Sequence, residues 1–290
     1  MNKRILKNDL LQIEYLTDVL RISGLVPAGK MNLFADLGEL PSIPTPYGDF
    51  YFRGGHRLWH SPEAMPRTYI PDTPVTLTEL PDGVLLEAQT EAGTGIRKRI
   101  EIHLDPDKPS LKLTHTLIND GMWPVELAAW ALTQCRLGGT VIMPMPVGNV
   151  DEAGLLPNRQ FSLWPYVRIN DPRLKLGDEF IVFKAQALLP PFKIGYFNTA
   201  GWLAYEVDGI LVRKTFSVTA DRVHPDNNCN AEVYCNDQFV ELESLGPLKI
   251  LNPQASITHV ETWDVFDQSE IFPQEIRKAL AMGQADGNSA

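Results

Sequence analysis

Cysteine pairs and long apolar runs are both missing from this 290-residue sequence. The cysteines are Cys135, Cys229 and Cys235, an odd number without CxxC spacing, so the sequence predicts buried free thiols rather than a disulfide framework or a zinc knuckle. No apolar run approaches the length that crosses a bilayer, and charges interrupt the N-terminus before a signal-type segment develops. These absences predict a cytoplasmic protein that does not associate with a membrane.

Positive charge is also scarce. The chain has 26 lysines and arginines against 36 acidic residues, which gives a formal net charge of −10. Proteins that bind nucleic-acid phosphates normally carry a basic excess on the binding face. The sequence therefore predicts no nucleic-acid partner and favours a small ligand.

Helical periodicity is rare, and a period of two takes its place. Residues 99–104 alternate polar and apolar side chains, and turn signals such as 80–83 and 119–121 separate the β-type runs. The other predicted strands are 75–80, 84–89, 111–117, 125–133, 180–187, 193–197, 201–207, 210–218, 230–236, 239–245 and 256–265. This number of strands is too large for one flat sheet. It predicts an all-β fold in the form of a large antiparallel β-sandwich.

The chain shows no shift in composition that would mark a linker. We therefore predict a single β-sandwich domain over residues 1–268. Residues 269–290 are predicted to form a short C-terminal helix and a tail.

One stretch, residues 51–63, concentrates chemically active side chains around a double glycine. Two adjacent glycines let the backbone turn sharply or approach a ligand closely. The side chains beside them can donate hydrogen bonds, exchange protons and stack on a ring. We predict a ligand site here, formed by Arg53, His56, Arg57, Trp59 and His60.

Two other uses of histidine are possible on spacing alone. His56, His60 and Glu63 have the i, i+4, i+7 spacing of metal ligands on a helix, but the double glycine and Pro62 argue against a helix, so no metal site is predicted. His115 shares a strand face with leucines, which predicts a hydrogen-bonded core histidine.

Two strands late in the chain carry carboxyl groups. Alternation places Glu241 and Glu243 on one face of 239–245. In open solvent this would be an ordinary polar face, whereas in a cleft one of the two would have a raised pKa and could transfer protons. Glu232 and Tyr234 share a face of 230–236, which suits either recognition of sugar hydroxyls or a solvated edge strand.

Several of these segments together resemble the galactose mutarotase-like superfamily, which includes aldose 1-epimerases and hexose-6-phosphate epimerases. The segments are Arg53-Gly54-Gly55 followed by Trp59, the strand with Leu242-Glu243, and residues 251–256 and 258–263. The resemblance spans most of the chain. It implies a β-supersandwich that binds sugars in a cleft across one sheet, with a late-strand glutamate as base, histidines as acid and no cofactor. Glu243 matches that glutamate.

The resemblance departs from the family at one position. Family epimerases have a mid-chain histidine, and residues 125–134 have none. The resemblance then implies that His56 or His60, in the double-glycine loop, is the acid opposite Glu243. Arg53 matches an arginine of the sugar-phosphate branch, which implies a phosphorylated or carboxylated ligand.

The remaining predicted contacts are with the substrate. Trp59 would stack on the sugar ring, and the other side chains would hold hydroxyl or anionic groups. These are Arg57, Lys193, Glu232 and Glu241.

Together these features predict a carbohydrate-binding protein that acts as a sugar mutarotase or epimerase. Glu243 would take the proton of the C1 hydroxyl while an imidazole protonates the ring oxygen. One alternative is a non-catalytic carbohydrate-binding module of the same fold, with no opposed acid and base. Another is a structural protein, if Arg53, His56 and Glu243 lie far apart. No feature of the sequence sets the number of subunits.

Overall fold

Strands make up most of the regular structure. The computed structural model describes residues 1–39, 42–267 and 272–284, and within these ranges there are 22 strands. Three helical elements accompany them in the described residues: a single 3-10 turn (Arg67–Tyr69), the four-residue turn α1 (Pro225–Asn228) and the helix α2 (Gln274–Gln284). The predicted all-β class is confirmed.

The first sheet has ten strands, and all of its strand pairs are antiparallel. Nine lie in the spatial order β1 (Lys3–Lys7), β2 (Leu11–Leu16), β3 (Ile22–Pro27), β6 (Gly55–Ser61), β11 (Val125–Cys135), β20 (Val240–Leu245), β19 (Ala231–Cys235), β16 (Phe192–Tyr196) and β13 (Phe161–Leu163). The tenth, β21 (Lys249–Leu251), pairs with the start of β11.

The second sheet also has ten antiparallel strands. Their spatial order is β14 (Leu174–Leu176), β15 (Phe180–Lys184), β12 (Thr140–Pro144), β17 (Trp202–Val207), β18 (Ile210–Phe216), β22 (Ser256–Asp267), β10 (Ser110–Asn119), β9 (Ile96–Leu104), β8 (Gly83–Ala88) and β7 (Val75–Leu80). A separate hairpin joins β4 (Ser42–Thr45) and β5 (Gly48–Tyr51).

The core lies between the two sheets. Every second residue of β9 is buried, as its sequence pattern predicts, and its inward side chains meet inward side chains of the first sheet. Ile100 and Leu113 of the second sheet and Leu58 and Leu242 of the first belong to one buried cluster. Burying each such side chain contributes roughly 1.5–3 kcal/mol, so this cluster is the main source of stability. The predicted sandwich architecture is confirmed.

Helix α2 covers part of the outer face of the second sheet. Ile276 and Ala279 are buried against Phe180 and Val182 of β15. The helix predicted within 269–290 is thus present from residue 274, whereas residues 268–271 and 285–290 lie outside the described residues. The domain division at residue 268 stays a prediction.

The strands before residue 75 are absent from the sequence prediction. Three of them, β1 to β3, form one edge of the first sheet, and β6 lies inside that sheet. The interpretation of the double-glycine stretch as a loop is therefore wrong from Gly55 onward.

The double glycine has a steric role at the start of β6. Gly54 and Gly55 have φ angles of 81° and 71°, which side-chain-bearing residues rarely adopt. A Cβ on Gly54 would overlap the carbonyl of Ala35, and one on Gly55 would overlap the carbonyl of Ile22. The close approach that the two glycines permit is therefore an approach to other parts of the chain's own backbone.

The three cysteines are buried free thiols, as predicted. In the described part of the chain, no helix has the length and apolar character needed to span a bilayer.

Candidate functional site

Strand register sorts the predicted residues onto two faces of the first sheet. Directly opposed residues on adjacent antiparallel strands point to the same side. One row across β6, β11, β20 and β19 contains Arg57, Leu132, Glu243 and Glu232. The next row contains His56, Thr133, Leu242 and Val233. Since neighbouring rows alternate, the first row points away from the second sheet and the second row points into the core.

His56 lies in the interior of the sandwich. Its Nε2 is 2.7 Å from Nε2 of His115 on β10, and its Nδ1 is 2.9 Å from Oγ1 of Thr133. Burial lowers the pKa of His56 well below its ordinary value, so the ring stays neutral. The expectation that His56 faces Glu243 across a pocket is wrong, whereas the prediction of a hydrogen-bonded core histidine at His115 is confirmed.

His60 also points inward, because it is an even number of residues from His56 on β6. Its Nε2 is 3.5 Å from Oε2 of Glu91, and Lys98 Nζ is 2.5 Å from the other oxygen of that carboxylate. Burial lowers the pKa of His60. His60 therefore does not face Glu243 either, and the acid predicted from the double-glycine stretch is on the wrong side of the sheet.

The outer face of the first sheet forms the floor of a cleft with a volume of about 290 Å³. Eight aromatic side chains line it: Phe52, Trp59, Tyr69, Trp130, Trp164, Tyr166, Tyr234 and Phe239. Its polar lining residues are Glu63, Lys193, Asn236 and Glu241. The structure thus brings together three of the predicted residues, Trp59, Lys193 and Glu241, and no histidine is among the described lining residues.

The aromatic walls are fixed by contacts among the rings. Trp59 packs edge-on against Trp130 and Tyr69, with centroid distances of 5.2 Å in both cases. Across the cleft, Trp164 and Tyr166 come from the segment that follows β13. Because edge-to-face pairs of this kind hold rings in place, the walls are preorganised for a ligand.

A lysine covers two of the predicted carboxyl groups. Lys193 Nζ lies 2.8 Å from Glu232 Oε2 and 3.0 Å from Glu243 Oε2, and Trp130 Nε1 donates to the same Glu243 oxygen at 2.7 Å. Burial alone would lower the pKa of Lys193, but Glu232 and Glu243 raise it well above its ordinary value. Burial also raises the pKa of Glu232. Glu232 and Glu243 are both fully buried and do not line the cleft.

Glu241 is the carboxyl group on the floor of the cleft. Gln134 Nε2 donates to its Oε1 at 2.9 Å, and Arg57 Nη2 in turn donates to Gln134 Oε1 at 2.7 Å. Burial and the neighbouring Glu243 raise the pKa of Glu241 to about 8. In the described part of the chain its Oε2 accepts no hydrogen bond. Because the raised pKa keeps the group protonated, this oxygen can donate a proton to a ligand in the cleft.

Arg57 and Arg53 do not reach the cleft. Arg57 is buried, donates to the carbonyl of Phe52 at 2.6 Å and lies over the Trp59 ring, so it supports the wall from behind. Arg53 pairs with Asp72 at 2.8 Å and lines a separate cavity of about 200 Å³. The structure therefore does not place Arg53 beside Glu243.

One interior cluster has the residue types of a metal site. Ligand atoms of His56, His115 and Glu261 lie within 4.8 Å of one another. However, Lys214 Nζ is 3.0 Å from Glu261 Oε1 and supplies the positive charge, while the two imidazoles are joined by a hydrogen bond. Each of these groups therefore already has a hydrogen-bond or ion-pair partner inside the cluster.

Sequence reasoning missed several residues of the cleft. Trp130 and Leu132 lie on the outward face of β11 and follow from its alternation once the strand's faces are assigned. Tyr69, Trp164 and Tyr166 lie in segments without strand periodicity, and no local pattern indicates them. Glu63 ends the stretch 51–63, where the sequence relates it only to the rejected metal-ligand spacing.

Comparisons with known proteins place the fold. No family model matches this chain, and no curated protein sequence matches it. A solved structure of a galactose mutarotase related enzyme from Lactobacillus acidophilus matches with a TM-score of 0.59 and 7% identity over 94% of this chain and 100% of that one. A candidate aldose 1-epimerase from Escherichia coli K12 matches with a TM-score of 0.54 and 14% identity over 92% and 99%.

A third structure, a galactose mutarotase-like protein from Lactobacillus casei, matches with a TM-score of 0.51 and 10% identity over 91% and 100% of the two chains. At such identities the likeness defines the fold alone. This chain has the galactose mutarotase-like fold, of which it is a divergent member, as the resemblance implied.

Proposed function

We propose that this protein binds a small carbohydrate in the cleft. The observation that carries the proposal is the set of eight aromatic side chains around a volume of about 290 Å³. Aromatic faces cover the C–H faces of sugar rings, and Asn236 and Glu241, which also line the cleft, have groups that can form hydrogen bonds with hydroxyls. The volume lies at the small end of the ~300–1,000 Å³ range of ligand pockets, which suits a ligand of about one ring.

The charges of the cleft favour a neutral sugar over a sugar phosphate. Its only described cationic lining group is Lys193, which Glu232 and Glu243 already bind. A phosphate would also meet Glu63 and Glu241. Arg53, which implied an anionic ligand, lies at another cavity. We therefore expect free aldoses to bind more tightly than their 6-phosphates.

Tryptophan substitutions test this binding site. Titration of a panel of free aldoses and their 6-phosphates by calorimetry should identify a free sugar that binds. Trp164→Ala should weaken its binding by about tenfold, roughly 1.4 kcal/mol, because one stacking face is lost. Trp123→Ala is the matched control, since Trp123 is 75% exposed and does not line the cleft. Absence of binding by any sugar, or equal losses in both variants, would contradict the proposal.

We propose interconversion of sugar anomers as a second function, which makes the protein a mutarotase or aldose epimerase. The observation that favours it is Glu241, a proton donor whose unpartnered oxygen is on the cleft floor. Structures with this fold include the mutarotase related enzyme and the candidate aldose 1-epimerase named above. The base role of Glu243 stays a prediction, and it requires Lys193 to move aside.

Exchange spectroscopy separates the two functions. With a bound aldose, NMR exchange between α and β anomers should be faster with the wild-type protein than in buffer. Glu241→Gln should slow the catalysed exchange by about 100-fold or more while the sugar still binds. Wild-type protein that binds without accelerating exchange would leave only the carbohydrate-binding function.

A further inference from the structure

The rim of the cleft carries a second carboxyl group, Glu63. It lies just after β6, is exposed, and lines the same cavity as Glu241. The Tyr69 hydroxyl donates a hydrogen bond to Glu63 Oε1. Tyr69 is itself held edge-on against Trp59 and Phe50, with centroid distances of 5.2 and 5.4 Å. Glu63 is thus attached to a rigid aromatic wall.

The segment that bears Glu63 is also tied to itself. Ala64 N donates to Thr68 Oγ1 at 2.9 Å, and Thr68 N donates back to the Ala64 carbonyl at 2.8 Å. Thr68 is buried, so this closed turn is anchored. A carboxylate on a tied turn loses little conformational entropy when it meets a ligand.

The second group, Glu241, approaches the cavity from the floor. Glu241 is only 7% exposed, and in the part of the chain that the structure describes its one side-chain hydrogen bond is the bond that Oε1 accepts from Gln134. Glu241 comes from β20 in the middle of the sheet, whereas Glu63 comes from the end of β6. A ring in the cavity would therefore be approached by carboxyl groups from two directions.

We propose that Glu63 and Glu241 are the proton-transfer pair of this cleft, with Glu63 as base and Glu241 as acid. The inference rests on the proposed carbohydrate function. Glu63 takes the proton of the C1 hydroxyl, Glu241 donates its proton to the ring oxygen, and the bond between C1 and the ring oxygen breaks to give the open-chain aldehyde. Rotation about the bond between C1 and C2 and the reverse proton transfers then close the ring on the other face. Atoms and charge balance without a cofactor.

The surroundings of the pair suit these roles. Burial, followed by the charge of Glu63, raises the pKa of Tyr69, so its hydroxyl stays protonated and donates to a carboxylate. Burial and the like charge of Glu243 raise the pKa of Glu241 and outweigh the hydrogen bond from Gln134, which favours the carboxylate, so Glu241 is the group that keeps a proton. The pair does not need the buried Glu243 or an imidazole.

Three variants test the pair, with the aldose that binds best as the probe. Glu63→Gln should slow anomer exchange by about 100-fold or more while changing the dissociation constant by less than about threefold. Tyr69→Phe should slow exchange less, by about tenfold, because it only removes the bond that positions Glu63. Glu79→Gln is the matched control, as Glu79 is exposed on β7 of the other sheet.

The outcomes separate this inference from the function on which it rests. Loss of exchange in Glu63→Gln with binding retained supports the pair. Normal exchange in Glu63→Gln overturns it and leaves the mutarotase proposal standing. Binding without exchange in the wild-type protein overturns the pair and leaves the carbohydrate-binding proposal, while absence of binding overturns both.

Discussion

At the scale of single residues, what covers a carboxyl group decides its chemistry. Glu241 and Glu243 are two residues apart on β20 and point to the same face. Glu243 lies beneath Lys193 and Trp130, whereas Glu241 reaches the cleft beside Gln134. Of the two, Glu241 alone can exchange a proton with a ligand without moving another side chain.

The pKa of Glu241 gives a pH dependence for anomer exchange. The active form of an acid is the protonated one, and its pKa is raised to about 8, so the exchange rate should fall as the pH rises through about 8. NMR exchange measured from about pH 6 to 10, corrected for the rate in buffer, checks this. A rate that rises across this range would show that Glu241 acts as a base. Glu79→Gln, as control, should keep the wild-type profile.

Alternation along the chain predicts part of this site. It places Glu241 and Glu243 on one face, and the structure agrees. It gives no information on which of them is open, because the covering group, Lys193, is 50 residues away in sequence and belongs to another strand. A non-local contact of this kind has no local pattern.

At the scale of strands, β6 shows why a central strand can be taken for a loop. All seven of its residues are buried, since the core covers one face and the aromatic wall covers the other. Polar and apolar residues therefore do not alternate, and the period of two disappears. Had the strand been recognised, its alternation would have separated His56 and His60 from Arg57 and Trp59.

The double glycine at the start of β6 gives a stability prediction. Gly55→Ala should lower the free energy of unfolding by about 3–5 kcal/mol, since the new Cβ combines an unfavourable φ with overlap of the Ile22 carbonyl. Gly29→Ala is the control, because Gly29 has a φ of 69° but nothing within 4 Å of the added Cβ. It should lose only the conformational part, about 1–2 kcal/mol. Urea denaturation measures both, and equal losses would contradict the steric explanation.

At the scale of the whole molecule, the sandwich is predictable because strands of the second sheet with one face outside the core alternate, as in β9 and β22. A polar network joins the two sheets inside it, which the pattern does not indicate. Lys214 Nζ of the second sheet donates to Thr133 Oγ1 of the first at 2.7 Å. Ser244 of the first sheet donates to Glu261 of the second at 2.6 Å, and His259 Nε2 lies 2.6 Å from the same hydroxyl.

This network predicts that acid weakens the contact between the sheets. In the folded protein the pKa of His259 falls from 6.5 to about 4, mainly because the ring is buried. Glu261 raises this pKa, whereas His115 and Lys214 lower it further. Between these values the unfolded chain binds a proton that the folded protein does not, so the stability present above pH 6.5 is lost as the pH falls towards about 4. The pKa of Glu241 is raised, so its contribution to the pH dependence of stability has the opposite sign, over a pH range that overlaps that of His259.

The difference in stability between the wild-type protein and His259→Gln at each pH separates the contribution of His259 from that of Glu241. The wild-type protein should be more stable than His259→Gln at about pH 7, and the gap in unfolding free energy should narrow by about 2 kcal/mol by about pH 4.5, because the variant has no such proton to bind. His103→Gln is the control of opposite sign. The hydrogen bond to Glu101 raises the pKa of the partly exposed His103, so its gap should widen in acid. Urea denaturation across this pH range measures the unfolding free energy of each protein. If the wild-type protein and His259→Gln depend on pH in the same way, His259 does not contribute to the acid sensitivity of the contact between the sheets.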